Sequence, residues 1–266
     1  MQSTFFPLID IGANLTHDSF DADRDDVIRR ALSAGIEQMI LTGSNDKASH
    51  DAVALAEQRP EIFHATVGVH PHHAGDYNDT VHANLLALTS RPVVVAVGEC
   101  GLDYYRDLSP RDRQRFAFER QIEIAIDSGL PLFLHQRDAH QDFVAILKPV
   151  AKQLSGGVAH CFTGGIEELQ AYLEIGLHIG VTGWICDERR GADLVDAVRH
   201  IPLDRLMIET DAPYLLPRSL EPKPRTRRNE PMYLREVLRA VADAMDLSAE
   251  QIARATTANA RHFFDI

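Results

Sequence analysis

The sequence lacks any run of about 18 consecutive apolar residues, so no membrane-spanning helix is expected. Cysteine is scarce. Cys100, Cys161 and Cys186 cannot all pair and show no C-x-x-C spacing, which fits reduced thiols in a cytoplasmic protein. Basic residues are in deficit, 27 against 39 acidic ones, and the net charge of −12 argues against indiscriminate attraction to nucleic acid. It leaves open a local basic patch or a metal ion that supplies the positive field. The opening residues, Met1 to Asp10, have neither a basic region nor a long apolar stretch, so no signal or transit peptide is expected. No fixed-length repeat, low-complexity tract or Pro/Gly/Ser linker divides the chain, and one domain over residues 1–266 is expected.

What the chain does have is a regular alternation of short apolar runs with amphipathic stretches. Candidate strands are Leu8–Ile11, Gln38–Thr42, His64–Val69, Val93–Val97, Leu132–His135, Val158–His160, His178–Val181 and Leu206–Ile208. Each is apolar or β-branched without clean alternation, as parallel strands buried on both faces are. Eight of them interleaved with helices predict an α/β fold, a TIM-type (β/α)8 barrel. Ser109-Pro110 reads as N-cap and first residue of a helix whose stripe is Phe118, Ile122, Ala125 and Ile126, ended by Gly129. Asp138 and Gln141 have capping-box spacing. Leu234, Val237, Leu238, Val241 and Met245 form another stripe, and Ser248 with Gln251 opens a last helix toward Phe263 and Phe264. Residues 213–231 hold five of the 13 prolines and read as a long ordered loop.

The chemistry lies in which residues end the strands. Apolar runs finish in Gly98-Glu99-Cys100-Gly101, Leu134-His135, Ala159-His160-Cys161 and Ile208-Glu209-Thr210-Asp211, and an earlier one in Val69-His70-Pro71-His72. In a parallel barrel all these ends open on one face, where active sites are built. Glu, His, His and Asp together make a good ligand set for a divalent cation, with positions left for water and substrate. Taken singly, a strand-end His is more often a satisfied polar group, and Asp211 before Ala212-Pro213 fits a simple cap. The set as a whole favours a metal site.

These runs resemble a known family. Gly98-Glu-Cys-Gly-Leu-Asp103, His135-x-Arg137-Asp138-Ala139, His160-Cys-Phe-Thr-Gly164 and Glu209-Thr-Asp-Ala-Pro-Tyr-Leu215 look like the signatures of the TatD-type metal-dependent nucleases, within the amidohydrolase-like barrels. Gly183-Trp-Ile-Cys-Asp-Glu-Arg-Arg-Gly191 also resembles that branch, and matches run from Asp10 to about Asn259. The resemblance implies a 3′–5′ exonuclease of single-stranded DNA and RNA, a magnesium requirement and a role in repairing or clearing damaged DNA. Carried over by position, it makes Glu99, His135 and His160 metal ligands, Asp211 the catalytic carboxylate touching metal or the attacking water, and His70 a contact to the scissile region. The wider group has Asp-x-His-x-His after the first strand, where this chain reads Asp10-Ile-Gly12-Ala-Asn14. Asp10 or Asn14 would hold any second ion only weakly, through water, and His17 is a remote substitute.

The expected mechanism has a cation on Glu99, His135 and His160, Asp211 as base, and His70 or His72 orienting the phosphate. Imidazole ligands suit zinc or manganese, whereas the resemblance implies magnesium. Arg218, Lys223, Arg225, Arg227 and Arg228 follow Asp211 and read as a phosphate guide, with Arg137 a further contact. Of Tyr104, Tyr105, Phe162, Trp184 and Tyr214, the best candidates for base stacking are Trp184 and Tyr105. Cys100 and Cys161 read as packing groups. No obligate protein partner is evident and a monomer is expected. The rival reading is a hydrolase of an acyl, amide or lactone substrate such as aminoacyl-tRNA, since fold and ligands do not fix substrate.

Overall fold

The computed structural model describes residues 6–266; residues 1–5, on which the reading of the chain's start partly rests, lie outside the described residues. Strands β1 (Leu8–Ala13), β2 (Ile36–Leu41), β3 (Phe63–Val67), β4 (Val94–Asp103), β5 (Leu132–Arg137), β6 (Gly157–Ala159), β7 (His178–Val181) and β8 (Leu206–Ile208) form one sheet in sequence order. Helices α1 (Arg24–Ser33), α2 (Asp46–Gln58), α3 (Asp79–Leu88), α4 (Arg111–Ser128), α5 (His140–Leu147), α6 (Ile166–Glu174) and α7 (Ala192–Val198) make the seven crossovers, and α8 (Leu234–Met245) and α9 (Ala249–Phe264) follow the last strand. The β3–β4, β4–β5, β5–β6 and β7–β8 pairs are parallel, and a parallel bridge from Ala13 to Ala212 ties the end of β1 to the segment after β8. This is the expected TIM-type (β/α)8 arrangement.

The strand readings hold, with two instructive differences in length. β4 runs on from Val97 to Asp103 and β5 from His135 to Arg137, so Glu99 and His135 sit inside strands. Polar residues and glycines hide that extension from an apolarity pattern, because the partner strand, not the residue type, continues the ladder.

Two predicted caps are corrected. Ser109 does not cap α4: its hydroxyl donates to the carbonyl of His72 at 2.9 Å and accepts from the amide of Gly75 at 3.1 Å, tying down the turn Pro71–Asp76. Asp138 makes no capping box; it adopts φ 54° outside α5, and the Ala139 amide is met by the side chain of Gln136. The Ser248–Gln251 capping box is present, and Gly129 closes α4 in the left-handed region with φ 72°.

The chain falls into two compact units: Met1–Ile40 with Cys161–Leu169 and Ile179–Ile266, and Leu41–His160 with Gln170–His178. In the first, α9 packs on β1 and β8 and beside α8, whose stripe Leu234, Val237, Leu238 and Val241 is buried. In the second, α4 covers β4 and α2 covers β3; Phe118 stacks on Phe143 at 5.6 Å, and Phe143 meets Tyr172.

Within the first unit a carboxylic acid is built into the core. Asp10 is fully buried in β1, accepting from the amide and hydroxyl of Thr210 at 2.9 and 2.5 Å and from the Gly12 amide at 3.3 Å. Burial pushes its pKa up to about 7 although the Thr210 bonds pull the other way, and nearby Glu209 adds to the rise. In the unfolded chain the group ionises near 3.8. The folded state therefore holds the proton longer, and stability falls as pH rises between those values, by an amount on the order of 4 kcal/mol. We expect Asp10→Asn, which keeps an acceptor for the Thr210 amide, to flatten this slope: the difference in Tm between about pH 5 and about pH 7, inside that window, should shrink. Thermal melts with equal pH dependence in variant and parent would contradict it.

Candidate metal centre

The second unit gathers its polar side chains around Glu99, and β4 is shaped to deliver them. Val97 pairs with Leu132 and Cys100 with Leu134, so three steps on β4 match two on β5. This is a β-bulge, which re-aims a side chain. Gly98 and Gly101 bracket it with φ of +143° and +139°, and a Cβ would stand 2.1 Å from the Phe133 carbonyl oxygen at the first and 1.9 Å from that of His135 at the second. Only glycine allows the two strands to pass this closely. The Glu99 amide is met by the carbonyl of Gly43 at 2.7 Å.

Three imidazoles meet the buried carboxylate at one oxygen. From Glu99 Oε1, His135 Nδ1 lies 3.1 Å away, His160 Nε2 3.3 Å and His70 Nε2 3.4 Å. The donor atoms of His70, Glu99 and His135 all lie within 4.8 Å of one another. His160, just past β6, is braced by the Phe133 ring at 4.6 Å, and its amide bonds the Leu134 carbonyl. Burial disfavours charge on Glu99, yet the imidazoles of His70, His160 and His135 hold its carboxyl well below the usual range.

The partners of each ring decide where its proton sits. His135 presents Nε2 to Asp103 Oδ2 at 3.3 Å. Asp103 is held ionised: burial opposes this, but His135 and His72 bring its pKa below the usual carboxylate range. The carboxylate only accepts, so His135 donates from Nε2 and the neutral ring turns the lone pair of Nδ1 toward Glu99. A lone pair facing a carboxylate oxygen calls for a cation between them, and a proton or a metal ion would serve. Burial lowers the ring's affinity for a second proton, but the bonds to Asp103 and Glu99 more than reverse that. His70 is the opposite case. Its Nδ1 accepts the His72 amide at 3.1 Å, so its proton belongs on Nε2, directed at Glu99. Burial keeps that ring neutral. The donor set thus fits a divalent cation, with Glu99 and His135 as the better ligands and His70 as a hydrogen-bond donor.

Sequence reasoning missed the residues that hold this cluster. Asp103 accepts from His72 Nε2 at 2.8 Å as well as from His135, while its other oxygen takes the amides of Tyr105 and Arg106. Gln114 and Gln121, two turns apart on the buried face of α4, each grip a backbone. Gln114 bonds both N–H and C=O of Asp103, and Gln121 both of Val69, next to His70. Two glutamines at i, i+7 on the apolar face of a helix were the available signal.

The other predicted site residues are placed as follows. Arg137 lies 3.9 Å over the ring of exposed Tyr105, in the same unit as Glu99. Asp211 belongs to the first unit, half-buried with φ 55°, its Oδ1 receiving the Asn14 amide at 2.9 Å. Asp10 and Asn14, considered for a second ion, are engaged with Thr210 and Asp211. Trp184, in the turn Gly183–Cys186, carries the Arg190 guanidinium 4.2 Å over its ring. Arg228 pairs with Asp23 at 2.7 Å and Glu230 at 3.0 Å. Arg218 pairs with Glu188 at 2.8 Å, and Arg225 and Arg227 are exposed. Cys100 is buried, which pushes its thiol well above the usual range, as a packing group requires.

A family model described as TatD-related DNase matches residues 9–265. The chain belongs to the TatD-related DNase family. It is 49% identical over 257 residues to a protein of Erwinia billingiae named 3′-5′ ssDNA/RNA exonuclease TatD, covering 97% of this chain and 98% of that one. A Salmonella typhimurium protein of the same name is 46% identical over 259 residues, covering 97% and 99%. Among solved structures, a TatD homologue from Escherichia coli matches with a TM-score of 0.90 at 27% identity over 98% of this chain and 99% of that one. A TatD-family hydrolase from Entamoeba histolytica matches with 0.87 at 27% over 97% and 98%.

The bulge gives a direct test of the centre's scaffold. Gly101→Ala drives a methyl into the His135 backbone, and we expect a loss of at least about 2 kcal/mol in urea unfolding. A variant as stable as the parent would show that the close approach is not required.

Proposed function

We propose that this TatD-family chain is a divalent-metal-dependent 3′–5′ exonuclease hydrolysing phosphodiester bonds of single-stranded DNA and RNA, in DNA degradation or repair. The observation that carries the reading is the convergence of three imidazoles on one oxygen of a buried, ionised Glu99. We assign Glu99, His135 and His160 as the residues that hold the ion, with Asp211 as the remaining acidic group. Magnesium is the proposed working ion, with manganese or zinc able to take its place on an imidazole-rich set. When bound, the cation supplies Lewis-acid stabilisation for charge growing on a phosphoryl oxygen.

The side chains supply the rest of the chemistry. Asp211 is assigned as the base that takes a proton from the attacking water, and the Asn14 amide on its Oδ1 orients it. His70, beside Glu99, is assigned as the contact to the scissile region, with His72 or Arg137 to steady the chain beside it. Asp103 is a positioning residue: it keeps the His135 proton on Nε2 and leaves Nδ1 for the cation. That Cys100, Cys161 and Cys186 form no disulfide supports a reducing compartment, the cytoplasm, as the place of action. No described helix is long and apolar enough to cross a membrane.

A labelled single-stranded oligonucleotide should be shortened from its 3′ end with Mg2+ or Mn2+ and remain intact with chelator or with Glu99→Ala. Asp211→Asn should bind the ion yet cut about 10²- to 10⁴-fold more slowly. Cleavage that survives chelation would overturn the metal assignment, and near-parental turnover by the Asp211 variant would overturn the base. Faster release of amino acid from charged tRNA than of nucleotides would favour an acyl substrate instead.

Asp103→Asn should weaken Mn2+ binding about 10- to 100-fold in calorimetry, with Asp103→Glu recovering part of it. Unchanged affinity in the asparagine variant would remove Asp103 from the positioning role.

A further inference from the structure

The first unit contains a hollow of about 670 Å3 whose charge is opposite to that of the chain. Six cationic side chains line it, Arg189, Arg190, Arg218, Lys223, Arg225 and Arg227, against one carboxylate, Asp187. Three of the six are anchored. Asp187 holds Arg189 at 3.2 Å and Arg190 at 2.8 Å, and Glu188 holds Arg218 at 2.8 Å. Lys223, Arg225 and Arg227 are exposed and carry no ion pair among the described residues. Uncompensated cations on a concave surface of a chain with net charge −12 mark a place built for an anion.

The rest of the wall narrows the class of anion. Trp184 is half-buried there with Arg190 over its ring, and Leu215, Leu216 and Leu220 add apolar surface. An inorganic phosphate or featureless polyanion would engage the cations and leave these walls wet. A nucleotide unit uses both, its phosphate on the cations and its base or sugar on the apolar wall, and the volume suits a ligand of that size. A single strand can offer bases in this way, because they are not locked in a duplex.

We propose that this hollow is a second nucleic-acid-binding site. It grips the phosphates of single-stranded DNA or RNA with Lys223, Arg225 and Arg227 and seats a nucleotide against the Trp184 wall. It uses none of the side chains around Glu99. Its task is to retain long strands. The identity of the ligand rests on the nuclease reading above, but the binding is independent of turnover.

Trp184 is the only tryptophan in the chain, so its emission reports on this hollow directly. Titrating the full-length protein with an oligothymidylate in chelator, where nothing is cut, should change that emission saturably and weaken with salt. In Arg225→Ala/Arg227→Ala, loop changes checked for folding by circular dichroism, affinity should fall about tenfold and the salt slope should lessen by about 1.4, the share of two phosphate contacts on a single strand. Binding seen by anisotropy with no change in emission would overturn the proposal, as would unchanged affinity in the double variant. An equal emission change and affinity with polyphosphate would reduce the hollow to a polyanion patch and also overturn it. Emission change without any metal-dependent cleavage would sink the nuclease reading and leave this site standing; cleavage without the emission change would do the reverse.

Discussion

A carboxylate kept ionised inside a protein must be met by donors or cations, because burial alone would neutralise it. Glu99 is such a group, and much of the second unit is organised around that requirement. The bulge at Gly98 turns the side chain inward, His135, His160 and His70 arrive from β5, from beyond β6 and from beyond β3, and Asp103 fixes the proton on the far side of His135. Remove any one and the cost falls on its neighbours, since Glu99, Asp103 and His160 are buried and depend on one another and on His135 for their polar contacts.

The cluster also shows why residues of one type take different roles. His70 and His135 approach the same oxygen at similar distances, yet their opposite nitrogens face an amide hydrogen and a carboxylate respectively. That difference makes one ring a donor and the other a ligand. Behind them, Gln114 and Gln121 act as paired clamps from α4, converting a helix position two turns apart into a fixed spacing between Asp103 and Val69. Rigid backbone at both points keeps the rings where their lone pairs matter.

Charge in the first unit follows a different logic. The loop after Asp211 is rich in arginine, but its members divide by partner. Arg228 pairs with Asp23 and Glu230, Arg218 is held by Glu188, and Arg225 and Arg227 lie on the surface of a hollow. Asp10 and Thr210 tie β1 to the segment just past β8 by bonds spanning 200 residues.

Much was legible in the sequence. Apolar runs buried on both faces declare a parallel sheet, their number and spacing declare the barrel, and Glu99, His135, His160 and Asp211 stand out because ionisable residues at strand ends break an apolar pattern locally. Those are short-range signals, set by solvation of each segment. What the tertiary structure alone decided depends on partners far away in the chain. The bulge exists only in the mismatch of β4 with β5. The hydroxyl of Ser109 goes to the His72–Gly75 turn instead of a helix end. The tautomers of His70 and His135 follow from the His72 amide and Asp103, and Arg228 finds Asp23 across 205 positions. A hydrogen bond or ion pair is a property of two groups in space, and one-dimensional order names the groups without naming the pairs.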